Sequence, residues 1–126
     1  MSNVPLDRLK ISRLMARTYV GFNDWEKEKK QDVAVSVTLH ADLSRACRSD
    51  DVADTVDYKK VKQNILRVVE GGRFNLIEKL AEEIADICFD VSAVKRVDVV
   101  VDKLQALRFA KSVQVAITRE RADEKS

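Results

Sequence analysis

Valine-rich segments with strict alternation flank a central helical region in this chain, and this arrangement limits the folds it can adopt. From residue 33 to 40, apolar side chains at every second position alternate with small or polar ones. A period of two returns at residues 97–102, with Val97, Val99 and Val101 on one face, and at residues 113–118. A period of two in β-branched residues predicts half-buried strands. Residues 9–20 are less regular but also strand-like, with Ile11, Met15 and Tyr19 expected on one face.

Two helices are predicted between the strand pairs. The first has apolar residues at helical spacing and should end at Gly71-Gly72, where left-handed conformations are accessible. The second presents one continuous apolar face, formed by Ile77, Leu80, Ala81, Ile84, Ala85 and Cys88. Asn75 is a suitable N-cap for it, and Glu78 follows three residues later, as in a capping box.

The element order is therefore strand, strand, helix, helix, strand, strand. This order predicts an α+β fold, with a four-stranded antiparallel sheet and two helices on one face (ββααββ). A chain of 126 residues has room for one domain, 1–126, with one core. We expect the core to cover about residues 9–121, followed by a polar tail, 122–126.

Such a sheet has two open edges, which are hazards for uncontrolled association. The predicted strands are long and rich in valine, so charge alone does not protect them. We therefore expect a symmetric homo-oligomer in which strands pair across subunits and close a barrel.

Composition excludes several classes of function. The net charge is only +2, with both signs mixed along the chain, which argues against nucleic-acid and membrane partners. No apolar run is long enough to span a bilayer, and the first residues do not resemble a signal peptide, so a cytoplasmic location is expected. One histidine and two isolated cysteines make a metal site improbable. Cys88 is expected to be a buried, unreactive thiol.

Candidate site residues are polar side chains at the ends of elements. They are Glu26 and Gln31 in the first hairpin connection, Tyr58 and Glu78 at helix starts, and Lys103 at a strand end. Each has a structural alternative. Glu78 could be only a cap, and Glu26 and Lys103 only solvated charges. The chain has no glycine-rich phosphate loop and no readable nucleophile–histidine arrangement.

These positions and their surroundings resemble the dihydroneopterin aldolase and epimerase family, over about residues 11–119. The matching segments are Gly21-Phe22-Asn23-Asp24-Trp25-Glu26 with Gln31, Asp54-Thr55-Val56-Asp57-Tyr58, Phe74-Asn75-Leu76-Ile77-Glu78-Lys79-Leu80-Ala81, and Val101-Asp102-Lys103. The resemblance implies a tunnelling fold, in which four subunits close a barrel and two rings commonly stack into an octamer. It also implies active sites between subunits and catalysis without metal or organic cofactor.

The resemblance also implies a role for each candidate. Glu78 matches the residue that anchors the pterin, whose ring N–H and amino group can pair with one carboxylate. Lys103 matches the lysine that moves protons, and Tyr58 a tyrosine that contacts the reacting side chain. Glu26 matches a carboxylate that binds substrate hydroxyls or orients water, with Gln31 supporting it. Backbone groups near Val56 and Ile77 are expected to touch the ring.

The residues after Lys103 favour the triphosphate 2′-epimerase branch over the aldolases. Aldolases of this family usually follow the lysine with proline, whereas residues 103–113 here contain none. A triphosphate needs cationic partners, for which Arg108 is the first candidate and Arg73 the second. Aldolase activity, or a non-catalytic oligomeric pterin-binding module, remains an alternative. Zinc-dependent tunnelling enzymes fit poorly with a single histidine.

Overall fold

The computed structural model describes residues 6–104 and 107–122 and has the predicted α+β architecture. Its elements in chain order are β1 (Asp7–Val20), α1 (Asp24–Glu28), β2 (Gln31–Ala41), α2 (Ser44–Ser49), a 3-10 turn (Val52–Asp54), α3 (Tyr58–Gly71), β3 (Arg73–Phe74), α4 (Ile77–Cys88), β4 (Arg96–Leu104) and β5 (Ser112–Glu120). The two long helices and the four long strands match the predicted ββααββ order. The short elements α1, α2 and β3 were not predicted, because two to six residues are too few to show a periodicity.

The four long strands form an antiparallel sheet in the order β1-β2-β4-β5. The short strand β3 adds to the outer edge of β1 in parallel, where Tyr19 pairs with Arg73 and Val20 with Phe74. Beyond this two-residue pairing, the described residues leave the outer edges of β1 and β5 without a neighbouring strand. The barrel expected across subunits is consistent with these two open edges.

The core lies between one face of the sheet and the two long helices. On the sheet side it is built from the valines of β2 and β4 that were predicted to point inward. On the helix side, Ile65, Leu80 and Ile84 have no exposed surface. Full burial of one such side chain contributes about 1.5–3 kcal/mol, so packing between the helices and the sheet contributes strongly to stability. Cys88 lies in the same core, as predicted.

A β-bulge in β1 makes one prediction wrong. The register of β1 against β2 shifts between Ile11 and Leu14, and Arg13 within the bulge has a positive φ of 52°. The extra residue reverses the alternation. Ile11 therefore packs on the core, whereas Met15 lies on the opposite face and is 53% exposed.

The sheet face opposite the helices is polar. His40 lies there and bonds to Asp98 at 2.7 Å, and Asp98 also accepts from Thr118. Arg13, turned by the bulge, donates to Asp102 at 3.1 Å. This face can contact water or charged groups without loss of core packing.

No helix in the described part of the chain is both long and apolar enough to cross a bilayer.

Helix α4 begins later than its predicted cap. Leu76 occupies the N-cap position and makes no side-chain cap bond, so the prediction of Asn75 as the N-cap is wrong. Glu78 is consequently the second residue of the helix and not the third. The capping box that offered a purely structural explanation for Glu78 is therefore not formed.

Candidate active site

Glu26 lies in a short helix but is almost completely buried. Its residue surface is 3% exposed, although the run of charged residues that follows it is largely solvated. The cause is local: α1 folds back over the end of β1 and turns the Glu26 side chain inward. The alternative that Glu26 is one more solvated charge is therefore wrong.

Lys103 reaches Glu26 from the far end of β4. It pairs with Val33 in the sheet register, and its ammonium group bonds to Glu26 Oε2. The side chains of Lys103 and Glu26 are 13% and 4% exposed. The adjacent Asp102 contacts Arg13 and Ser112, so its side chain lies on the opposite face of the strand. An ion pair with so little water contact is weakly screened, so its attraction is stronger than that of a pair on the surface.

Two amides complete the bonds around the Glu26 carboxylate. Asn23 donates to Oε1 from its side chain at 2.8 Å and from its backbone N–H at 3.3 Å. Gln31 donates to Oε2 at 3.3 Å and to the Val20 carbonyl at 2.7 Å. Burial acts to raise the pKa of Glu26, but the bonds from Lys103, Asn23 and Gln31 outweigh it and hold the pKa below its ordinary value. The carboxylate is thus kept charged and fixed in orientation.

Gly21 makes room for this carboxylate. Its φ is +135°, a conformation that residues with a Cβ rarely adopt. A Cβ built on Gly21 would collide with the carboxylate of Glu26. The sequence identified Gly21 as part of a family segment, but its contact with Glu26 depends on the position of α1, which the sequence pattern did not reveal.

The start of α4 lies at the same end of the sheet. The Gly21 N–H donates to the Phe74 carbonyl at 2.8 Å, and Ile77 and Glu78 follow shortly after Phe74 in the chain. Glu78 is exposed, and the N–H groups of the first turn of a helix have no intrahelical partners. Here the side chain of Glu78 can accept hydrogen bonds from a ligand, while the backbone near Ile77 can donate them.

Tyr58 and Val56 lie at the opposite end of the subunit. Helix α3 begins at Tyr58 and has 14 residues, a length of about 21 Å. Its far end is at the site, where the Thr18 hydroxyl donates to the Gly72 carbonyl at 3.3 Å. Tyr58 is 51% exposed, and Val56 is buried at 2%. The structure therefore brings together Glu26, Gln31, Lys103 and the start of α4, but not Tyr58 or Val56 of the same chain.

The two arginine candidates differ in their surroundings. Arg108 lies in the exposed turn between β4 and β5, and its guanidinium is 5.0 Å from the centre of the Phe109 ring. Arg73 stacks on the Tyr19 ring at 3.9 Å and donates to the Lys27 carbonyl at 3.0 Å. It lines a cavity of about 200 Å³ with Tyr19, Gly21, Glu26, Lys27, Phe74 and Asn75. Only Arg73 of the two is thus seen to share a cavity with Glu26.

Within residues 6–104 and 107–122, no group of three or more histidine, cysteine, aspartate or glutamate side chains is placed to hold a metal ion. The chemistry available at this site from the described side chains is proton transfer between Lys103, Glu26 and a bound molecule, together with hydrogen bonding to polar groups.

The family model for dihydroneopterin aldolase (FolB) matches residues 9–118. The chain belongs to the dihydroneopterin aldolase family. Within it, the chain is 36% identical over 117 residues to dihydroneopterin triphosphate 2′-epimerase of Escherichia coli K12, covering 93% of this chain and 98% of that one. It is 35% identical over 82 residues to dihydroneopterin aldolase of the same strain, covering 65% of this chain and 67% of the other.

The fold agrees with this family assignment. The crystal structure of Escherichia coli dihydroneopterin aldolase in complex with neopterin has a TM-score of 0.86 and 32% identity, covering 90% of this chain and 99% of the other. Relatives named as epimerase and as aldolase thus both match most of the chain. Family membership establishes an enzyme fold for pterin chemistry and leaves the choice of reaction to the residues of the site.

Proposed function

We propose that the protein epimerises 7,8-dihydroneopterin triphosphate at C2′ by retro-aldol cleavage and re-addition. The observation that carries this proposal is the buried Glu26–Lys103 pair, which lies at the same end of the sheet as the exposed Glu78. The similarity to the Escherichia coli epimerase over nearly the whole chain supports the triphosphate substrate. The absence of proline after Lys103 supports it further.

In this proposal the pterin ring binds at the start of α4. Glu78 accepts the ring N–H and the exocyclic amino group in a bidentate pair, which is stronger than two neutral bonds. Backbone groups near Ile77 bond to the same ring. This interaction orients the pterin so that its side chain extends toward Glu26 and Lys103.

The Lys103–Glu26 pair then moves one proton. It removes the proton from the C2′ hydroxyl, and the bond between C1′ and C2′ breaks as the C2′ oxygen becomes an aldehyde. The electron pair of the broken bond shifts through C6 to N5 of the ring, and the Lys103–Glu26 pair delivers the proton to N5, which gives a neutral enamine. Re-addition of the aldehyde through its other face restores the bond and inverts C2′, and the proton returns to the new alkoxide. Asn23 and Gln31 keep the Glu26 carboxylate oriented throughout.

We further propose that each site is completed by a second subunit. Tyr58 is separated from the site of its own chain by the length of α3, about 21 Å, yet Tyr58 and the preceding Val56 both match site positions of the family. The end near Glu26 exposes Phe22, Trp25 and Leu76, which are 68%, 57% and 47% exposed in the single chain. Such apolar exposure is typical of a surface that another subunit covers. Both observations would be satisfied by a homo-oligomer, either a tetramer or an octamer, in which Tyr58 of one chain meets Lys103 of the next.

Aldolase activity is the second candidate, since the first step is shared. If the enamine is protonated at its ring-bound carbon before the aldehyde adds back, the products are 6-hydroxymethyl-7,8-dihydropterin and a free aldehyde. The match to the aldolase family model favours some aldolase activity, that is, net cleavage of the pterin side chain. The balance between the two reactions depends on how long the aldehyde stays bound.

One assay separates these reactions. The protein is incubated with dihydroneopterin and with its triphosphate, and stereoisomers and hydroxymethyl pterin are resolved by chromatography. We expect inversion of the triphosphate to predominate. Efficient cleavage of the unphosphorylated compound with no preference for the triphosphate would contradict the epimerase assignment.

Two variants separate an enzyme from a non-catalytic pterin-binding module. Lys103→Ala should abolish turnover and spare pterin binding, whereas Glu78→Ala should weaken binding itself. Glu83→Ala, on the same helix, is the matched control for charge. A wild-type protein that binds pterin but turns over neither substrate would favour the module.

A further inference from the structure

The cavity beside Glu26 has a cationic wall that the proton-transfer step does not use. Arg73 and Lys27 line it together with Glu26, and Lys30 lies 5.7 Å from the centre of the Tyr19 ring that Arg73 covers. Among the described contacts, the Glu26 charge is already paired with Lys103. The remaining charge on the cavity wall is therefore positive, which suits an anion.

The Arg73 guanidinium is held in place before any ligand arrives. Stacking on Tyr19 fixes its plane, and one N–H donates to the Lys27 carbonyl at 3.0 Å. A guanidinium has five N–H donors, so a fork remains for phosphate oxygens. Arg73 also belongs to β3, whose pairing with β1 holds the backbone. Little side-chain entropy is then lost when an anion binds.

We infer that Arg73 and Lys27 form a polyphosphate subsite that retains the phosphorylated aldehyde between cleavage and re-addition. This inference rests on the proposed function. When the C1′–C2′ bond breaks, the triphosphate leaves with the aldehyde fragment, because it is attached through C3′. An aldehyde anchored by its phosphates can rotate about the C2′–C3′ bond and present its other face to the enamine. Retention therefore favours epimerisation over release.

The subsite assigns the triphosphate to Arg73 in place of Arg108, which was the first candidate from the sequence. Arg108 is exposed in the β4–β5 turn, and its described contact is with the neighbouring Phe109 ring. Arg73, in contrast, lines the same cavity as the catalytic carboxylate. A triphosphate bound to Arg73 therefore stays close to the carbons that react.

Inorganic triphosphate tests the subsite without any turnover. We expect it to bind the wild-type protein, measured by calorimetry, and expect Arg73→Ala to weaken that binding at least about tenfold, since a charge-assisted pair is lost. Arg67→Ala, on the exposed side of α3, is the matched control and should bind as the wild type does. Equal affinity in Arg73→Ala, or a loss in Arg108→Ala instead, would overturn the assignment.

Product partition tests the retention of the aldehyde. With the triphosphate substrate, Arg73→Ala and Lys27→Ala should shift products from the epimer toward hydroxymethyl pterin. Their kcat/KM for the triphosphate should fall at least about tenfold more than for unphosphorylated dihydroneopterin. An unchanged product ratio with normal turnover would overturn the retention role and leave the proposed reaction intact. If the wild type turns over neither substrate, the proposed function fails, and triphosphate binding alone decides whether the subsite exists.

Discussion

The Lys103 ammonium bonds to the Glu26 carboxylate in a part of the protein where both side chains are mostly shielded from water. The two residues are 77 positions apart in the chain. Strand β4 carries Lys103 and the short helix α1 carries Glu26, so the pair forms only when β4 has paired with β2. Its integrity can be tested by stability as well as by activity.

Removing one partner of this pair should destabilise the protein more than removing both. Lys103→Met leaves the Glu26 charge buried without its cation, at a cost of about 3 kcal/mol in the free energy of unfolding. The double variant Glu26→Gln/Lys103→Met should recover part of this loss. Denaturant unfolding at one fixed protein concentration compares the wild type with Lys103→Met, Glu26→Gln and the double variant. Strictly additive losses would show that the two groups are not coupled.

Gly21→Ala should damage the site far more than Gly71→Ala. The methyl group at position 21 meets the Glu26 carboxylate and forces a strained φ, so it must displace Glu26 from Lys103. At position 71 an added Cβ meets no atom within 4 Å. We expect Gly21→Ala to lower kcat by about 100-fold or more, and Gly71→Ala to leave kcat unchanged and stability within about 0.5 kcal/mol. Normal turnover in Gly21→Ala would mean that Glu26 is not needed in this position.

Stability should fall in acid, and Glu26 should account for part of the fall. Because the pKa of folded Glu26 lies below its ordinary value of 4.5, its contribution is complete above that pH and is lost as the pH falls through the folded pKa. Asp98, whose pKa is lowered by His40 and Thr118 against the opposing effect of burial, adds a second such contribution. Glu26→Gln should flatten the stability profile below the ordinary Glu26 pKa of 4.5. Glu70→Gln, an exposed carboxylate, should not.

Inactive subunits should complement one another if sites are shared. Lys103→Ala and Tyr58→Ala chains, each inactive alone, are co-expressed with different tags and purified as mixed oligomers. Random mixing leaves about a quarter of the interfaces with both native residues, so about a quarter of wild-type activity should return. Mixed oligomers with no activity would indicate that Tyr58 and Lys103 act within one chain or that Tyr58 is not part of the site.

The two cysteines should differ sharply in reactivity. Burial, with a smaller contribution from Asp90, raises the pKa of Cys88 to about 12, while Cys47 is exposed. Iodoacetamide at pH 8 should therefore modify the native protein at Cys47, and Cys47→Ser should remove the fast reaction. Mass spectrometry of digested protein identifies the modified residue. Rapid labelling of Cys88 would mean that α4 opens readily.

The spacing Asn-x-x-Glu occurs twice in this chain and illustrates what sequence patterns could and could not predict. The sequence predicts a capping box at Asn75 and Glu78, because the apolar periodicity of the helix that follows is strong. In the structure, it is Asn23 and Glu26 that bond to each other. Asn23 is the N-cap of the five-residue helix α1, and Glu26 lies within that helix. So short a helix has no periodicity to detect, and α4 begins one residue too late for its predicted cap.

Long elements were predictable because packing follows their alternation over many residues. The valines of β2 and β4 lie in the core as their period of two indicated. The bulge at Arg13 was not predictable, since one extra residue leaves no signature in composition. The contact of Arg73 with Tyr19 likewise depends on β3, which has only two residues. Features of the site that depend on such short segments could not be predicted from the sequence.

The length of α3 limits the assemblies in which every site can work. In the proposed oligomer, a subunit with Lys103 at one end and Tyr58 about 21 Å away would contribute halves to two different sites. If such subunits join head to tail, an open row would leave one unmatched half at each terminus. Only a closed ring leaves none unmatched. The activity per chain would then rise in one step when the ring closes. Dilution that dissociates the ring would remove the activity without unfolding the subunits.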